Sequence, residues 1–151
     1  MDCANYRGPL IAADYVTQMV PEDRRQHVRV MDIAAGTGAI GLELHKKGFT
    51  NIDALDPSEG MLKVLKETGV YNLIYQEFIS QDPTTIPEGG LVIIVTGVNY
   101  LTAVEAYKDK LEPHMERLEQ QGLWHKVVRT VVPNYFVEID GVVYIYRVVS
   151  D

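Results

Sequence analysis

The chain has 151 residues, of which 46% are hydrophobic, so the sequence predicts one globular domain over residues 1–151. Its net charge of −7 excludes the basic surface that nucleic-acid and anionic-membrane binding require. A single cysteine, Cys3, excludes an internal disulfide, and no apolar run is long enough to span a bilayer or to form a signal peptide. We therefore expect a cytoplasmic protein without nucleic-acid or membrane partners.

The N-terminal part predicts one helix followed by a charged connection. Pro9 suits the first turn of a helix, because the N–H that proline lacks is not needed there. The helix ends at Pro21, and residues 22–27 form the connection. Between the two prolines lies an apolar stripe that gives the helix a face to bury: Leu10, Ala13, Tyr15, Val16, Met19 and Val20.

Residues 28–41 carry most of the functional prediction. The apolar residues Val28, Val30 and Ile33 predict a buried strand. Gly36-Thr37-Gly38 then predicts a turn at which the backbone can approach a ligand closely. A helix follows, and its N-terminus offers free N–H groups and the positive end of its dipole. A strand, a glycine turn and a helix in this order are typical of a nucleotide site.

Residues 39–79 continue the alternation of helices and strands. A helix is predicted over 39–47 and ends at Gly48, and strands are predicted over 51–55 and 71–79. Between these strands, Ser58 is a candidate N-cap of a helix that ends at Gly69. The apolar residues of the first helix are Ile40, Leu42 and Leu44. The second helix is predicted to bury the face that carries Met61, Leu62, Val64 and Leu65.

This β-α-β-α-β order predicts parallel strands with helices packed on the faces of the sheet. Ligands of such sheets bind beyond the carboxyl ends of the strands. Residues 36–38, Asp56 and Glu77 are therefore expected along one edge, facing one cleft.

The C-terminal half predicts a different pattern. A strand over 91–96 precedes a long helix over 101–121, interrupted or kinked near Pro113. Residues 124–136 and 137–149 predict two strands, with the Asp140-Gly141 pair as the hairpin signal. The predicted fold class is therefore α/β: a three-layer sandwich with a mostly parallel sheet and a C-terminal antiparallel hairpin.

Two kinds of nucleotide site compete at the glycine turn. Gly36, Gly38 and Gly41 formally match the dinucleotide fingerprint, and Asp56 lies about 20 residues further on, where an acid would hold a ribose. Asp32, however, sits at the end of the first strand, where it would repel a pyrophosphate. An acid there suits a ligand with an ammonium or sulfonium group, and S-adenosylmethionine carries both. The sequence favours this methyl donor over a nicotinamide dinucleotide.

These residues resemble a known family. Residues 32–38 are similar to motif I of the Rossmann-like, class I S-adenosylmethionine-dependent methyltransferases, and residues 55–62 resemble the D-x-S-x-x-M-L element of that family. More narrowly, the Williams–Beuren-region methyltransferase-like proteins resemble the chain at residues 5–9, 48–53, 89–92 and 118–124. The resemblance covers nearly the whole chain. It implies S-adenosylmethionine as cofactor, S-adenosylhomocysteine as product, and an unidentified small-molecule or protein acceptor.

The resemblance also implies a role for each matching residue. The backbone of Ala34, Gly36 and Gly38 would lie against the methionine moiety. Asp32 would order this loop or meet the ammonium through water, and Asp56 would accept the two ribose hydroxyls. The remaining implied contacts are with the adenine. Either Met61 or the backbone of Pro57 and Ser58 would cover its face, and Glu77 and Phe78 would contact its edge.

Each of these roles has an alternative. Asp56 can serve as an acid at a helix N-terminus, Met61 as a core residue and Glu77 as a surface acid. Tyr6 and Arg7 are weaker candidates, which would fold over the cleft, whereas Tyr135 and Phe136 are expected to pack in the sheet. No catalytic residue is assigned, because methyl transfer depends mainly on positioning and needs a base only when the acceptor must lose a proton.

Other chemistry is sparse. The four histidines, His27, His45, His114 and His125, lack metal-ligand spacing and are expected at the surface.

The sequence departs from the family pattern after the third strand. One strand and one helix, about 35 to 40 residues, are missing before Gly89-Gly90. Either the strand over 91–96 moves over to pair with residues 28–32, or residues are absent from the chain near 88–89. The alternative function is therefore a shortened, non-catalytic protein that acts as a cofactor-binding or interaction module.

Overall fold

The computed structural model describes residues 5–77, 89–103, 105 and 108–149, which form two compact units. The parallel unit comprises the described residues of Ala13–Pro83, and the antiparallel unit comprises those of Met1–Ala12 and Thr84–Asp151. Helix α1 (Gly8–Met19) contributes residues to both units. In the part of the chain that the structure describes, none of the helices has the length and apolarity of a membrane span. The prediction of a single domain stays a prediction.

The parallel unit contains a sheet of three short strands, β1 (Val30–Ile33), β2 (Ile52–Leu55) and β3 (Ile74–Tyr75), with β2 in the centre. The strands are parallel, and Leu55 is the register partner of both Ile33 and Tyr75. The three strands therefore end side by side. Helix α2 (Ala39–Lys46) connects β1 to β2, and helix α3 (Glu59–Glu67) connects β2 to β3. The predicted β-α-β-α-β order is confirmed.

The core of this unit lies on one face of the sheet. Ile52 and Ala54 are two residues apart on β2, so their side chains point to the same face. The side chains of α2 and α3 cover this face in two clusters, one of Ala13, Leu44, Phe49 and Ile52 and one of Ala35, Ala54, Leu62 and Leu65. Burial of these apolar side chains is what holds the short strands together.

The predicted ends of the two helices are confirmed. Gly48 has a φ of +99°, and the N–H of Phe49 donates to the carbonyl of Leu44 just past the end of α2. This bond, together with the one from the Gly48 N–H to the His45 carbonyl, forms a Schellman motif. Gly69, with a φ of +70°, follows α3 in the same left-handed conformation.

Several burial predictions in this unit are wrong. Leu62 and Leu65 fill the buried face of α3, while Met61 and Val64 are 46% and 48% exposed, because residues one position earlier on the helix point about 100° away. Ile33, which was expected in a buried strand, is exposed on β1 too. The third strand covers only two of the predicted nine residues, so Tyr71 precedes the strand instead of beginning it. Residues 78–79 lie outside the described residues.

The antiparallel unit contains a second three-stranded sheet, in the order β4 (Leu91–Gly97), β6 (Ile139–Val148) and β5 (Trp124–Phe136). Two helices precede β5 in the chain, α4 (Asn99–Thr102) and α5 (Leu111–Gln120). One buried cluster of the unit consists of Met115 from α5 with Val142, Tyr144 and Tyr146 from β6. The β6 residues Val143 and Ile145 are fully buried as well. The central strand is thus the most buried element, as expected of a strand that is paired on both sides.

Three predictions for this unit need correction. The long helix over 101–121 is divided into α4 and α5, and Pro113 lies in the first turn of α5, where a proline costs little. The hairpin turns at Val137-Glu138, not at Asp140-Gly141, because Gly141 pairs within β6 and a Cβ there would come within 2.8 Å of the Tyr135 side chain. Leu10 is exposed on α1, although it was placed in the buried stripe.

The strand over 91–96 does not pair with β1. Each of its residues has a register partner on β6, from Leu91 with Arg147 to Gly97 with Gly141. In the described part of the chain, β1 pairs with β2 alone. The first explanation of the missing strand is therefore wrong. The second explanation, that residues are absent from the chain near 88–89, mostly concerns positions outside the described residues, which include residue 89 but not residues 78–88.

Candidate functional site

The loop that connects β1 to α2 has an unusual backbone. Ala34, Gly36 and Gly38 all have positive φ angles, of 59°, 58° and 92°. The loop is held in place by the Ala35 N–H, which donates to the carbonyl of Leu55 at the end of β2. Among the described residues, apart from Gly36 and its two neighbours in the chain, no atom lies within 4 Å of the position that a Cβ on Gly36 would take. The backbone at Gly36 is therefore accessible to a ligand, whereas a side chain there would be strained as well as obstructive.

Asp56 holds this loop from the end of β2. Its Oδ2 accepts the N–H of Gly36 at 2.9 Å, and its Oδ1 accepts the N–H of Ser58 at 2.8 Å. The residue is only 8% exposed. Each carboxylate oxygen has a second lone pair, so Asp56 can also accept hydrogen bonds from a ligand. Asp56 is thus both the anchor of the glycine loop and a candidate acceptor for hydroxyl groups.

Asp32 is the second buried acid of the site, at 5% exposure. Its Oδ2 accepts a hydrogen bond of 2.7 Å from the hydroxyl of Tyr71. Burial raises the pKa of Asp32 from 3.8 to about 6, the hydrogen bond from Tyr71 opposes this rise, and the charge of Asp56 adds to it. The carboxyl group therefore changes charge close to neutral pH, and a nearby cation would stabilise its ionised form.

Tyr71 links Asp32 to helix α2. Its hydroxyl donates to Asp32 and accepts the N–H of Gly41 at 3.0 Å. A Cβ on Gly41 would overlap the Tyr71 ring, so this glycine is required for packing. The third glycine of the apparent dinucleotide fingerprint therefore has a structural explanation. Burial, together with the charge of Asp32, raises the pKa of Tyr71, so the phenol stays protonated.

Asp53 is buried but belongs to the scaffold. It points away from Ile52 and Ala54, and its carboxylate accepts hydrogen bonds from Nε of Arg29 at 2.9 Å and from the N–H of Leu73 at 3.0 Å. It is 2% exposed. These bonds join β2 to the residues that lead into β1 and β3.

The remaining predicted site residues lie where β2 and β3 end. Ser58 is the N-cap of α3, as predicted, and its Oγ accepts the N–H of Met61 at 3.2 Å. Pro57 is half-buried beside it, and the exposed side chain of Met61 excludes the alternative that it is a core residue. Glu77 is exposed, two residues beyond β3. Phe78 lies outside the described residues.

The structure thus brings Asp32, Gly36, Asp56 and Ser58 together through direct bonds and adjacent strand ends. Tyr71 is the residue of this cluster that the sequence interpretation missed. No sequence pattern connects it with Asp32, because the two residues are 39 positions apart.

Tyr6 and Arg7 lie on the hairpin of the antiparallel unit. The Tyr6 and Tyr135 hydroxyls are 3.1 Å apart, and the rings meet edge to face with centroids at 5.4 Å. The N–H of Arg7 donates to the carbonyl of Tyr135. Phe136 ends β5 and pairs with Ile139, so Tyr135 and Phe136 belong to the sheet as predicted.

Metal ligation has no support in the described residues, where no cluster of histidine, cysteine, aspartate or glutamate has a suitable arrangement. The four histidines are all exposed, as predicted. The polar groups of the site are carboxylates, the phenol of Tyr71, the hydroxyl of Ser58 and backbone amides.

The chain is similar to methyltransferases in sequence and in fold. A family model described as "Methyltransferase domain" matches residues 30–122. Human methyltransferase-like protein 27 is 29% identical over 153 residues, an alignment that covers 82% of this chain and 61% of that protein. The chain thus spans about three-fifths of the length of this relative.

Two solved structures illustrate the similarity of fold. The glycopeptide N-methyltransferase MtfA complexed with S-adenosylmethionine has a TM-score of 0.66 at 11% identity, and the match covers 95% of each chain. An S-adenosylmethionine-dependent methyltransferase from Clostridium acetobutylicum has a TM-score of 0.64 at 13% identity, with 92% of this chain and 91% of that chain covered. The described fold is therefore that of a class I methyltransferase, with a parallel three-stranded sheet and a C-terminal antiparallel sheet.

Proposed function

This chain belongs to the methyltransferase-domain family, and from that premise we propose that it binds S-adenosylmethionine and transfers the methyl group to a small-molecule or protein acceptor. The observation that carries the proposal is the pair of buried acids, Asp32 and Asp56, at the ends of neighbouring strands beside the open backbone of Gly36. S-adenosylmethionine supplies a methyl group on a sulfonium, whose C–S electron pair remains on sulfur when the acceptor's lone pair bonds to the carbon.

The residues of the site fit the two ends of such a cofactor. Asp32 can attract the ammonium of the methionine moiety, because a carboxylate with little exposure interacts strongly with a nearby cation. Asp56 keeps lone pairs for the ribose hydroxyls while it holds the loop. The exposed thioether of Met61 and the half-buried ring of Pro57 are available to cover an adenine. Positioning of this kind is the main contribution that a protein makes to methyl transfer.

The net charge of the chain is what supports the proposed class of acceptor. The net charge of −7 disfavours a polyanionic acceptor, so we propose a small molecule or a protein and no nucleic acid. Similar folds do not narrow the choice, since MtfA is named for a glycopeptide and another solved relative for ribosomal protein L11. Fold similarity carries no information about the acceptor, because function resides in the site.

A second candidate is a cofactor-binding or interaction module without catalysis. One observation favours it: among the residues that the structure describes, β1 has a partner strand on one side only, although the family pattern places another strand beside it. The carboxyl end of such a strand would help to hold the methionine group and the acceptor. We expect such a module to bind the cofactor weakly or not at all, and to transfer no methyl group to any acceptor.

The test is a calorimetric titration of the purified chain, after its intact mass is confirmed. The ligand is S-adenosylhomocysteine, and NAD is the control. Micromolar binding of S-adenosylhomocysteine with none of NAD supports the proposal, and a screen of tritiated methyl transfer to peptides and metabolites then separates the enzyme from the module. Absence of S-adenosylhomocysteine binding by a chain of the correct mass contradicts the methyltransferase proposal, and binding of NAD alone would indicate a dinucleotide site.

A further inference from the structure

Tyr71 occupies a position that the proposed roles of the acids leave unexplained. Its hydroxyl lies between Asp32 Oδ2, at 2.7 Å, and the backbone N–H of Gly41, at 3.0 Å. One phenol thus connects the end of β1 with the first turn of α2. Because it donates one hydrogen bond and accepts another, both of its polar functions are used.

The contact with Gly41 replaces a missing helix cap. Gly38, the N-cap residue of α2, has no side chain that could accept an N–H from the first turn. The Tyr71 hydroxyl accepts one of these otherwise unsatisfied groups. The Tyr71 ring also lies against Gly38, 3.1 Å from the position that a Cβ would take. Tyr71 therefore fixes the start of α2 and, with it, the end of the glycine loop.

The contact with Asp32 has an electrostatic consequence. Burial and the charge of Asp56 both favour the neutral form of Asp32, whereas the hydrogen bond from Tyr71 favours the ionised form. Tyr71 and Asp56 are the titratable groups that face this carboxyl, and the first turn of α2 carries none. Of these two groups, Tyr71 is therefore the one that stabilises the ionised form of Asp32.

We propose that Tyr71 is a positioning residue for the amino-acid end of the cofactor: it orients the Asp32 carboxylate against the glycine loop and holds it in the ionised form that attracts an ammonium group. The inference rests on the proposed function, because it requires that a cofactor with an ammonium group binds beside Asp32. It adds a specific residue, 39 positions away from that acid in the sequence, to the determinants of affinity.

The decisive variant is Tyr71→Phe, which removes the hydroxyl and keeps the ring against Gly38 and Gly41. Binding is measured by calorimetry between pH 5.5 and pH 8 with two ligands. S-adenosylhomocysteine carries the ammonium, and 5′-methylthioadenosine keeps the adenosine but lacks the amino-acid end. We expect the affinity for S-adenosylhomocysteine to fall about tenfold at pH 7, and further at lower pH, as one hydrogen bond to a charged group is lost. The affinity for 5′-methylthioadenosine is expected to change less than twofold.

Two further variants serve as controls. Tyr15→Phe alters a half-buried tyrosine of α1 in the same unit and is expected to leave both affinities unchanged. In the Asp32→Asn background, Tyr71→Phe is expected to add almost nothing to the loss of S-adenosylhomocysteine affinity, because the charge that Tyr71 supports is already absent. Additive losses in this background would contradict the proposal.

Other outcomes are equally informative. An unchanged affinity for S-adenosylhomocysteine, or an equal loss for both ligands, would show that Tyr71 is only structural, while the proposed function would stand. If the wild type binds neither ligand, the proposed function fails and this inference with it.

Should Tyr71→Phe not fold, the wild type provides the test. In a pH titration followed by NMR without ligand, the chemical shifts of the Tyr71 ring are expected to change with the same midpoint pH as the chemical shift of the Asp32 carboxyl carbon. Independent behaviour of the two signals would overturn the inference.

Discussion

The two units of the molecule differ in whether they bury charged side chains. Among the described residues, the buried acids are Asp32, Asp53 and Asp56, and all three belong to the parallel unit. The buried core of the antiparallel unit consists of apolar residues and tyrosines, while its Glu112 and Arg129 pair at the surface. A buried carboxylate without an ion pair costs free energy, and Asp32 forms none among the described residues, so its presence at a strand end indicates a purpose other than stability. Asp53 and Asp56 also hold parts of the scaffold. The comparison supports the proposal that the ligand binds to the parallel unit, and it indicates that the antiparallel unit contributes mainly to stability.

The largest effect is expected from the core of the antiparallel unit. Ile145 is fully buried on the central strand β6, so Ile145→Ala should lower the free energy of unfolding by about 2–5 kcal/mol, the cost of a buried cavity. Urea denaturation measures it, with the exposed Val149→Ala as matched control. The affinity of the folded variant for S-adenosylhomocysteine should stay within twofold of the wild type. A much larger change would break the assignment of separate roles.

The next effect concerns Asp56, which serves both the scaffold and the site. Asp56→Ala should abolish measurable S-adenosylhomocysteine binding in calorimetry. The variant should also be less stable, because each of the two bonded amides, those of Gly36 and Ser58, costs about 1–3 kcal/mol when it is left unsatisfied.

Two further variants sharpen the Asp56 prediction. Asp56→Asn retains one acceptor oxygen and should lie between the wild type and Asp56→Ala in both measurements. The exposed Asp23→Ala is the control for removing an acid at the surface. Retained affinity in Asp56→Ala would show that the site is assigned to the wrong residues.

Asp32 should show the opposite sign, a gain in stability on substitution. Its folded-state pKa, about 6, exceeds the unfolded value of 3.8, so the folded state binds more protons between these pH values and loses stability as the pH rises. At about 1.4 kcal/mol per pKa unit, the ionised group costs on the order of 3 kcal/mol above pH 6.

Asp32→Asn should therefore be more stable than the wild type at pH 8 and similar to it at pH 4. Denaturation at both pH values measures this difference, and S-adenosylhomocysteine binding should weaken in the same variant. Equal stability differences at the two pH values would mean that the Asp32 charge is not costly, and the contrast between the units would lose its basis.

The smallest effect is expected at the surface of the antiparallel unit. Burial raises the pKa of Glu112, but hydrogen bonds from Tyr144 and Arg129 outweigh it, so the pKa lies below its usual value of 4.5. The stability that Glu112 contributes is therefore present above that pH and is lost as the pH falls through the folded-state pKa. Since the pair is partly exposed, Glu112→Gln should cost less than about 1 kcal/mol at pH 7. Thermal denaturation at pH 7 and pH 3 tests this, and a cost that persists at pH 3 would contradict it.

The sequence predicted much of the parallel unit because its signals are local. The side chain of Ser58 accepts a backbone N–H at the start of α3. Gly48 adopts the positive φ angle that follows the end of α2. Motif I and the element around Asp56 are each a continuous stretch of sequence, so the resemblance to class I methyltransferases is detectable from the sequence. The predictions for Met61, Val64 and the Asp140-Gly141 turn failed, because burial and turn position depend on which partner packs against a residue.

The sequence by itself determined the order of helices and strands, the positions of the two acids at strand ends and the family. Only the tertiary structure decided what these acids contact: Asp56 holds the amides of Gly36 and Ser58, and Asp32 meets Tyr71. The structure also decided that β4 pairs with β6 and that a residue larger than glycine at position 41 would overlap the Tyr71 ring. The physical reason is the range of the interactions, since capping and periodicity act over a few residues, whereas hydrogen bonds and packing join residues that only the fold brings together.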